Sequence, residues 1–258
     1  MLQEPSPSDY DLNFDFFGFR VRVHWGFWIA AALLGYNWSN SFAGVGELGI
    51  ESPGAPVLLL IWVAAVFVSI LVHELGHSLA FRYFNTDSHI VLYHFGGLAI
   101  PSSFGSWNAA RQRRLGPKEN LIVSAAGPGL QLLLAGVVIL IGIALRVPMD
   151  IVFFRIEGEP LTSVTTYAIL DALLYPSVFW ALLNLAPILP LDGGRIMQSA
   201  LHMFNVQRPN YAAHVVSIAT GALIGLFFMS SGRTFAGLMF LMFAASNWQA
   251  LQHGGGGY

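Results

Sequence analysis

Between residues 57 and 72 only Ser69 interrupts an apolar run, and helical spacing continues from there through Ala80. A run of this length is long enough to cross a bilayer as a helix. The same pattern predicts further spans at about 25–42, 120–145, 163–189, 212–229 and 234–248. Gly127-Pro128-Gly129 lies near the start of the third, and Pro176 and Pro187 should kink or unwind the fourth. Two stretches break the helical pattern. From Phe14 to Val23 apolar and polar positions partly alternate, and 88–103 reads as short strands around Gly96-Gly97. Gly44, Gly46, Gly49 and Pro53 mark a loop, and a polar loop follows the third span. After Asp192-Gly193-Gly194 a short helix is expected over about 195–204.

These elements predict an all-α polytopic membrane protein with about six transmembrane helices and a small membrane-associated β segment. Residues 1–23 form a tail with a strand-like segment. A single transmembrane domain covers 24–252, with core spans at about 57–80, 120–145 and 163–192, and residues 253–258 form a flexible tail. Composition agrees: 55% of the 258 residues are hydrophobic and only 10% are charged, against a usual charged share of about a quarter. The formal net charge of −2 leaves no basic surface for nucleic acid. The absence of cysteine excludes disulfides and thiolate metal sites. The acidic first twenty residues do not resemble a cleavable signal, so the first span is expected to direct insertion.

With six spans, nine of the twelve basic residues fall on one side, among them Arg20, Arg22, Arg111, Arg113, Arg114 and Lys118. Cytoplasmic loops are enriched in Lys and Arg, so both termini are expected in the cytoplasm.

His73-Glu74-Leu75-Gly76-His77 is an H-E-x-x-H motif on the clearest span. Histidines four apart share a helix face, so both imidazoles can reach one ion, while Glu74 sits at the edge of that face. There it can take a proton from a metal-bound water without being a ligand. Ionisable residues inside a bilayer are costly, and their default reading is functional. A hydrolytic zinc site needs a third protein ligand. Asp192 is the best-placed candidate, because the fourth span ends on the same side as the second. Asp-Gly is also a common turn or helix cap, a reading that would stand without the histidines.

His73–His77, taken with the segment Asn184-Leu185-Ala186-Pro187 to Leu191-Asp192-Gly193-Gly194, resembles the site-2 protease family of intramembrane metalloproteases. That family pairs H-E-x-x-H with N-x-x-P-x-x-x-x-D-G, and Asn184 and Asp192 match at its spacing. Phe95-Gly96-Gly97, Ala126-Gly127-Pro128 and His24-Trp25 are also similar to it. Gln131 departs from the pattern, standing where the family commonly has Asn. No segment resembles the PDZ or CBS modules of larger members.

The resemblance implies one zinc ion on His73, His77 and Asp192, with Glu74 as catalytic base. It implies Asn184 as a hydrogen-bond donor to the substrate or the developing oxyanion. The substrate would be a transmembrane protein cut in or near the bilayer, and the location a prokaryotic cell membrane. A divalent-metal transporter or a catalytically silent scaffold would use the same histidines. His89 and His94, near the site in sequence, read as interfacial residues, the alternatives being regulation of access or donation to the metal.

Overall fold

The computed structural model describes residues 4–44, 51–94, 96–101, 115–151, 154–159 and 164–254. Gly46, Gly49, Phe95, Arg111, Arg113, Arg114 and the last tail residues lie outside them. The chain divides into two compact units, one built from 4–111 and 129–181, the other mainly from 112–128 and 182–258.

The first unit begins with a hairpin, β1 (Leu12–Phe16) and β2 (Phe19–Val23), where the alternation over 14–23 suggested a single strand. Phe17 and Gly18 both have positive φ, 49° and 76°, the backbone of a two-residue hairpin turn matched to strand twist. β2 pairs in parallel with β3 (Ser88–Tyr93), which pairs antiparallel with β4 (Gly96–Pro101), giving a sheet in the order β1-β2-β3-β4. A parallel pair needs a long crossover, supplied here by α1 (Trp25–Gly44) and α2 (Ala55–Tyr83). At 29 residues, α2 is about 43 Å long at 1.5 Å per residue, more than the bilayer's hydrocarbon core. The two helices meet where the Trp62 indole seats against Gly35 and donates to the Ala31 carbonyl at 3.1 Å. Val21, Val23, Ile90 and Leu92 from the sheet share one core with Ile70, Leu71 and Leu75 of α2. Arg82, in the last turn of α2, holds the hairpin. Its guanidinium donates to the Phe17 carbonyl at 3.0 Å and stacks 3.6 Å over the Phe19 ring.

α3 (Pro117–Ala144) and α4 (Val164–Asn184) each carry an internal proline, Pro128 and Pro176. The expected polar loop between them contains a second hairpin, β5 (Met149–Ile151) with β6 (Phe154–Ile156). Val147, Met149 and Ile151 pack with Ala135 and Val138 of α3 and Leu170 and Leu174 of α4. Strands of three residues are too short to set up a detectable period.

The second unit contains α5 (Asp192–Met203), α6 (Pro209–Ser230) and α7 (Thr234–Gly254). α6 and α7 pack through small residues. A Cβ on Gly225 would lie 3.1 Å from the Gly237 carbonyl oxygen, so these backbones approach as closely as glycine allows. α4 ends at Asn184, before Pro187, and α5 starts at Asp192, three residues ahead of the expected start. In the irregular backbone between them, Leu189 has both its polar groups paired with side chains. Leu189 N–H donates to Ser217 Oγ on α6 at 2.9 Å, and Asn247 Nδ2 on α7 donates to the Leu189 carbonyl at 2.6 Å. His214 Nδ1 meets Asn247 Oδ1 at 2.8 Å. Non-helical backbone at membrane depth requires such partners.

Among the described residues four helices are long and apolar enough to cross a membrane: α2, α3, α4 and α6. The expected spans at 25–42 and 234–248 are helical, as α1 and α7. Asn37, Ser39, Asn40 and Ser41 in α1, and Ser246, Asn247 and Gln249 in α7, lower their hydropathy.

Candidate metal and catalytic centre

His73, Glu74 and His77 lie in the second half of α2, all buried, at 3%, 5% and 7% exposure. One turn of separation brings the imidazoles edge to face, with ring centroids 4.8 Å apart and Nε2 of His77 3.1 Å from Nε2 of His73. Two nitrogens bound to one tetrahedral zinc at 2.0–2.1 Å stand about 3.3 Å apart. The pair fits that requirement, and neutral imidazole nitrogen is a suitable donor for the metal.

Behind His73 lies a buried polar chain. Gln131 of α3, with no exposed surface, places Oε1 2.8 Å from His73 Nδ1. Its Nε2 donates to Ser69 Oγ of α2 at 2.9 Å and lies 3.4 Å from the Pro176 carbonyl of α4. Ser177 Oγ donates to Ser69 Oγ at 3.0 Å. The signals for this chain in the sequence are single polar residues in apolar runs, Ser69 in the second span and Gln131 in the third.

Among the described residues β4 is an edge of the four-stranded sheet, and it runs beside Glu74. Tyr93, at the end of β3, is buried, and that burial, with the Glu74 carboxylate nearby, pushes its phenol up to about 12.

The two other predicted residues belong to the second unit and flank its irregular segment. Asn184 is the last residue of α4, and Asp192 is half-buried in the first turn of α5. A Cβ on Gly193 would collide with the carbonyls of Leu185 and Ala186, and one on Gly194 with the backbone at Ile188 and Leu189. The two glycines therefore let α5 begin directly against the segment that precedes it. An acid in the first turn also suits the helix dipole.

The remaining histidines have local partners. His24 Nδ1 accepts the Gly26 N–H at 3.1 Å at the start of α1. His89 lies 3.6 Å from the Glu4 carboxylate, and His202 contacts Asn210 at 2.9 Å. The His94 ring lies 6.4 Å from that of His24.

The sequence model of peptidase family M50 matches residues 61–228, a segment that includes His73, Glu74, His77, Gln131, Asn184 and Asp192. A protein of Synechocystis sp. is 29% identical over 185 residues, 71% of this chain and 42% of the relative. A zinc metalloprotease of Methanocaldococcus jannaschii is 32% identical over 138 residues, 53% of this chain and 33% of that one. The chain thus spans less than half the length of these curated relatives. A solved site-2 protease from Methanocaldococcus jannaschii shares the fold, with a TM-score of 0.51 at 21% identity, covering 93% of this chain and 94% of that one.

Proposed function

Because the chain belongs to peptidase family M50, we propose that it is a zinc-dependent endopeptidase of the bilayer. It hydrolyses a peptide bond in or near a transmembrane helix of another membrane protein. The observation that carries this reading is the buried pair of His73 and His77, Nε2 to Nε2 at 3.1 Å, with Glu74 beside them on the same helix.

The reading assigns one zinc ion to His73, His77 and Asp192. Asp192 is supported by its place in the matched motif and by the glycines that set α5 against the preceding segment. Those residues would hold the ion, and a zinc ion there would supply Lewis-acid chemistry, favouring ionisation of water and polarisation of the scissile carbonyl. Glu74 takes a proton from the attacking water and returns it to the departing amine as the C–N bond breaks. Asn184 donates a hydrogen bond to the carbonyl oxygen as charge develops on it.

A helix must unwind before its peptide bonds can be cut. The edge of β4, unpaired among the described residues and beside Glu74, would take an unwound substrate as an added strand. The reading takes α1 and α7 as two further spans, six in all, within one domain over 24–252. Both termini then face the cytoplasm of a prokaryotic cell, with the site toward that side.

The test is cleavage of a reporter transmembrane helix by the purified, reconstituted protein. Cleavage that stops with a zinc chelator and returns with added zinc is the expected result. Zinc binding without cleavage would leave a scaffold, and zinc flux across the vesicle without cleavage a transporter.

A further inference from the structure

We propose that Gln131 is a positioning residue that fixes His73 in its Nδ1-protonated tautomer and so presents Nε2 as the metal-ligating atom. The proposal rests on reading His73 and His77 as metal ligands. Its own basis is the set of partners around the Gln131 amide.

The Pro176 carbonyl, 3.4 Å away, can only accept, so the amide nitrogen must be the atom that faces it. The same nitrogen donates to Ser69 Oγ at 2.9 Å. That hydroxyl also receives the Ser177 hydrogen at 3.0 Å, which fills its two acceptor positions. Turning the amide over would set its oxygen against a carbonyl oxygen in a place with no exposed surface. Oε1 is therefore the atom 2.8 Å from His73 Nδ1. An amide oxygen only accepts, so Nδ1 must carry the hydrogen. In a neutral imidazole the lone pair then lies on Nε2, the atom 3.1 Å from His77 Nε2.

A metal-bound histidine characteristically donates its other ring N–H to an acceptor that sets its tautomer and orientation. Loss of such an acceptor costs about 10- to 100-fold in metal affinity. Here the acceptor is held by α2 and α4 through Ser69 and Pro176, so three helices set one ring.

The experiment is zinc affinity by competition with a fluorescent chelator, on the full chain in detergent. Gln131→Met keeps the length and removes the acceptor, and affinity should fall about 10- to 100-fold. Ser177→Ala, which breaks the chain away from His73, should stay near wild type. Wild-type affinity in Gln131→Met would overturn the proposal, as would a fall in Ser177→Ala equal to that in Gln131→Met. Imidazole 15N shifts of His73 in the zinc-free wild-type protein give a check independent of the variants. A protonated Nδ1 supports the proposal, and a protonated Nε2 overturns it. If His73→Ala binds zinc like wild type, the metal-site reading itself fails. If His73→Ala loses zinc while Gln131→Met does not, only the positioning role fails.

Discussion

Gly97 of β4 lies so close to Glu74 that a Cβ built on it would be 2.5 Å from Oε1 and 2.6 Å from the carboxyl carbon. The strand edge and the carboxylate are in contact because the strand has no side chain there. Gly97→Ala must therefore push the Glu74 side chain aside. A misplacement of about 1 Å costs on the order of 10²-fold in rate. The expected outcome is cleavage of a reporter helix reduced about 10²-fold with zinc content unchanged, read by single-turnover assay and metal analysis. Wild-type cleavage by this variant would show that the Glu74 position is not critical.

Glu74→Gln keeps the shape of the side chain and removes the base. General-base catalysis contributes about 10²–10⁴-fold, so cleavage should fall by at least about 10²-fold while bound zinc persists. Equilibrium dialysis beside the cleavage assay separates the two effects. A variant that cleaves at the wild-type rate would remove Glu74 from the mechanism.

Asn247→Ala leaves the Leu189 carbonyl without its side-chain donor. A fully buried polar group stripped of its partner costs about 1–3 kcal/mol, and this part-buried carbonyl should fall toward the lower end. The thermal midpoint in detergent should drop, and Ser217→Ala, which removes the partner of the Leu189 N–H, should lower it too. Unchanged midpoints in both would mean that this segment is held by other contacts.

Tyr93 offers a test of burial beside the Glu74 carboxylate. Its phenol is raised to about 12 from an unfolded value near 10. Between these values the unfolded chain loses the phenol proton before the folded one does, so stability falls as pH rises from 10 to 12. Below pH 10 this contribution is constant. Tyr93→Phe removes the ionisation, so denaturation midpoints for this variant should decline less steeply over that window than those of wild type. Parallel curves would show that Tyr93 titrates alike in both states.

The long apolar runs of α2, α3, α4 and α6 were legible because one-dimensional hydropathy suffices for a helix in lipid. The strand content over 14–23 was legible too, but the turn at Phe17-Gly18 was not. The alternation changes phase at Phe16-Phe17, beside Gly18, but a phase shift alone does not distinguish a chain reversal from a bulge in one strand. The start of α5 was missed because Gly193 and Gly194 are poor helix formers. Their value lies in close approach to the backbone at 185–189, which local propensity does not register. His73, Glu74 and His77 could be read at once, since one helix fixes their mutual geometry. Gln131 could only be noted as a departure. Its meaning depends on the rotation of α3 against α2 and α4, a relation between segments 62 and 45 residues apart in the chain.

The bonds joining Ser69, Gln131, Ser177 and the Pro176 carbonyl also bear on how the protein is made. In hydrocarbon these groups have no water as a substitute partner, so each inserted helix carries an unmet demand until its neighbours dock. Hydrogen bonds between helices in a bilayer contribute about 0.6 kcal/mol on average and up to about 2. That is enough to bias which neighbours dock. A nascent chain whose α3 has not yet docked offers His73 without its Gln131 acceptor. On the proposed reading, capture of the ion by His73 would then follow docking of α3, and a chain still assembling would lack a complete hydrolytic site.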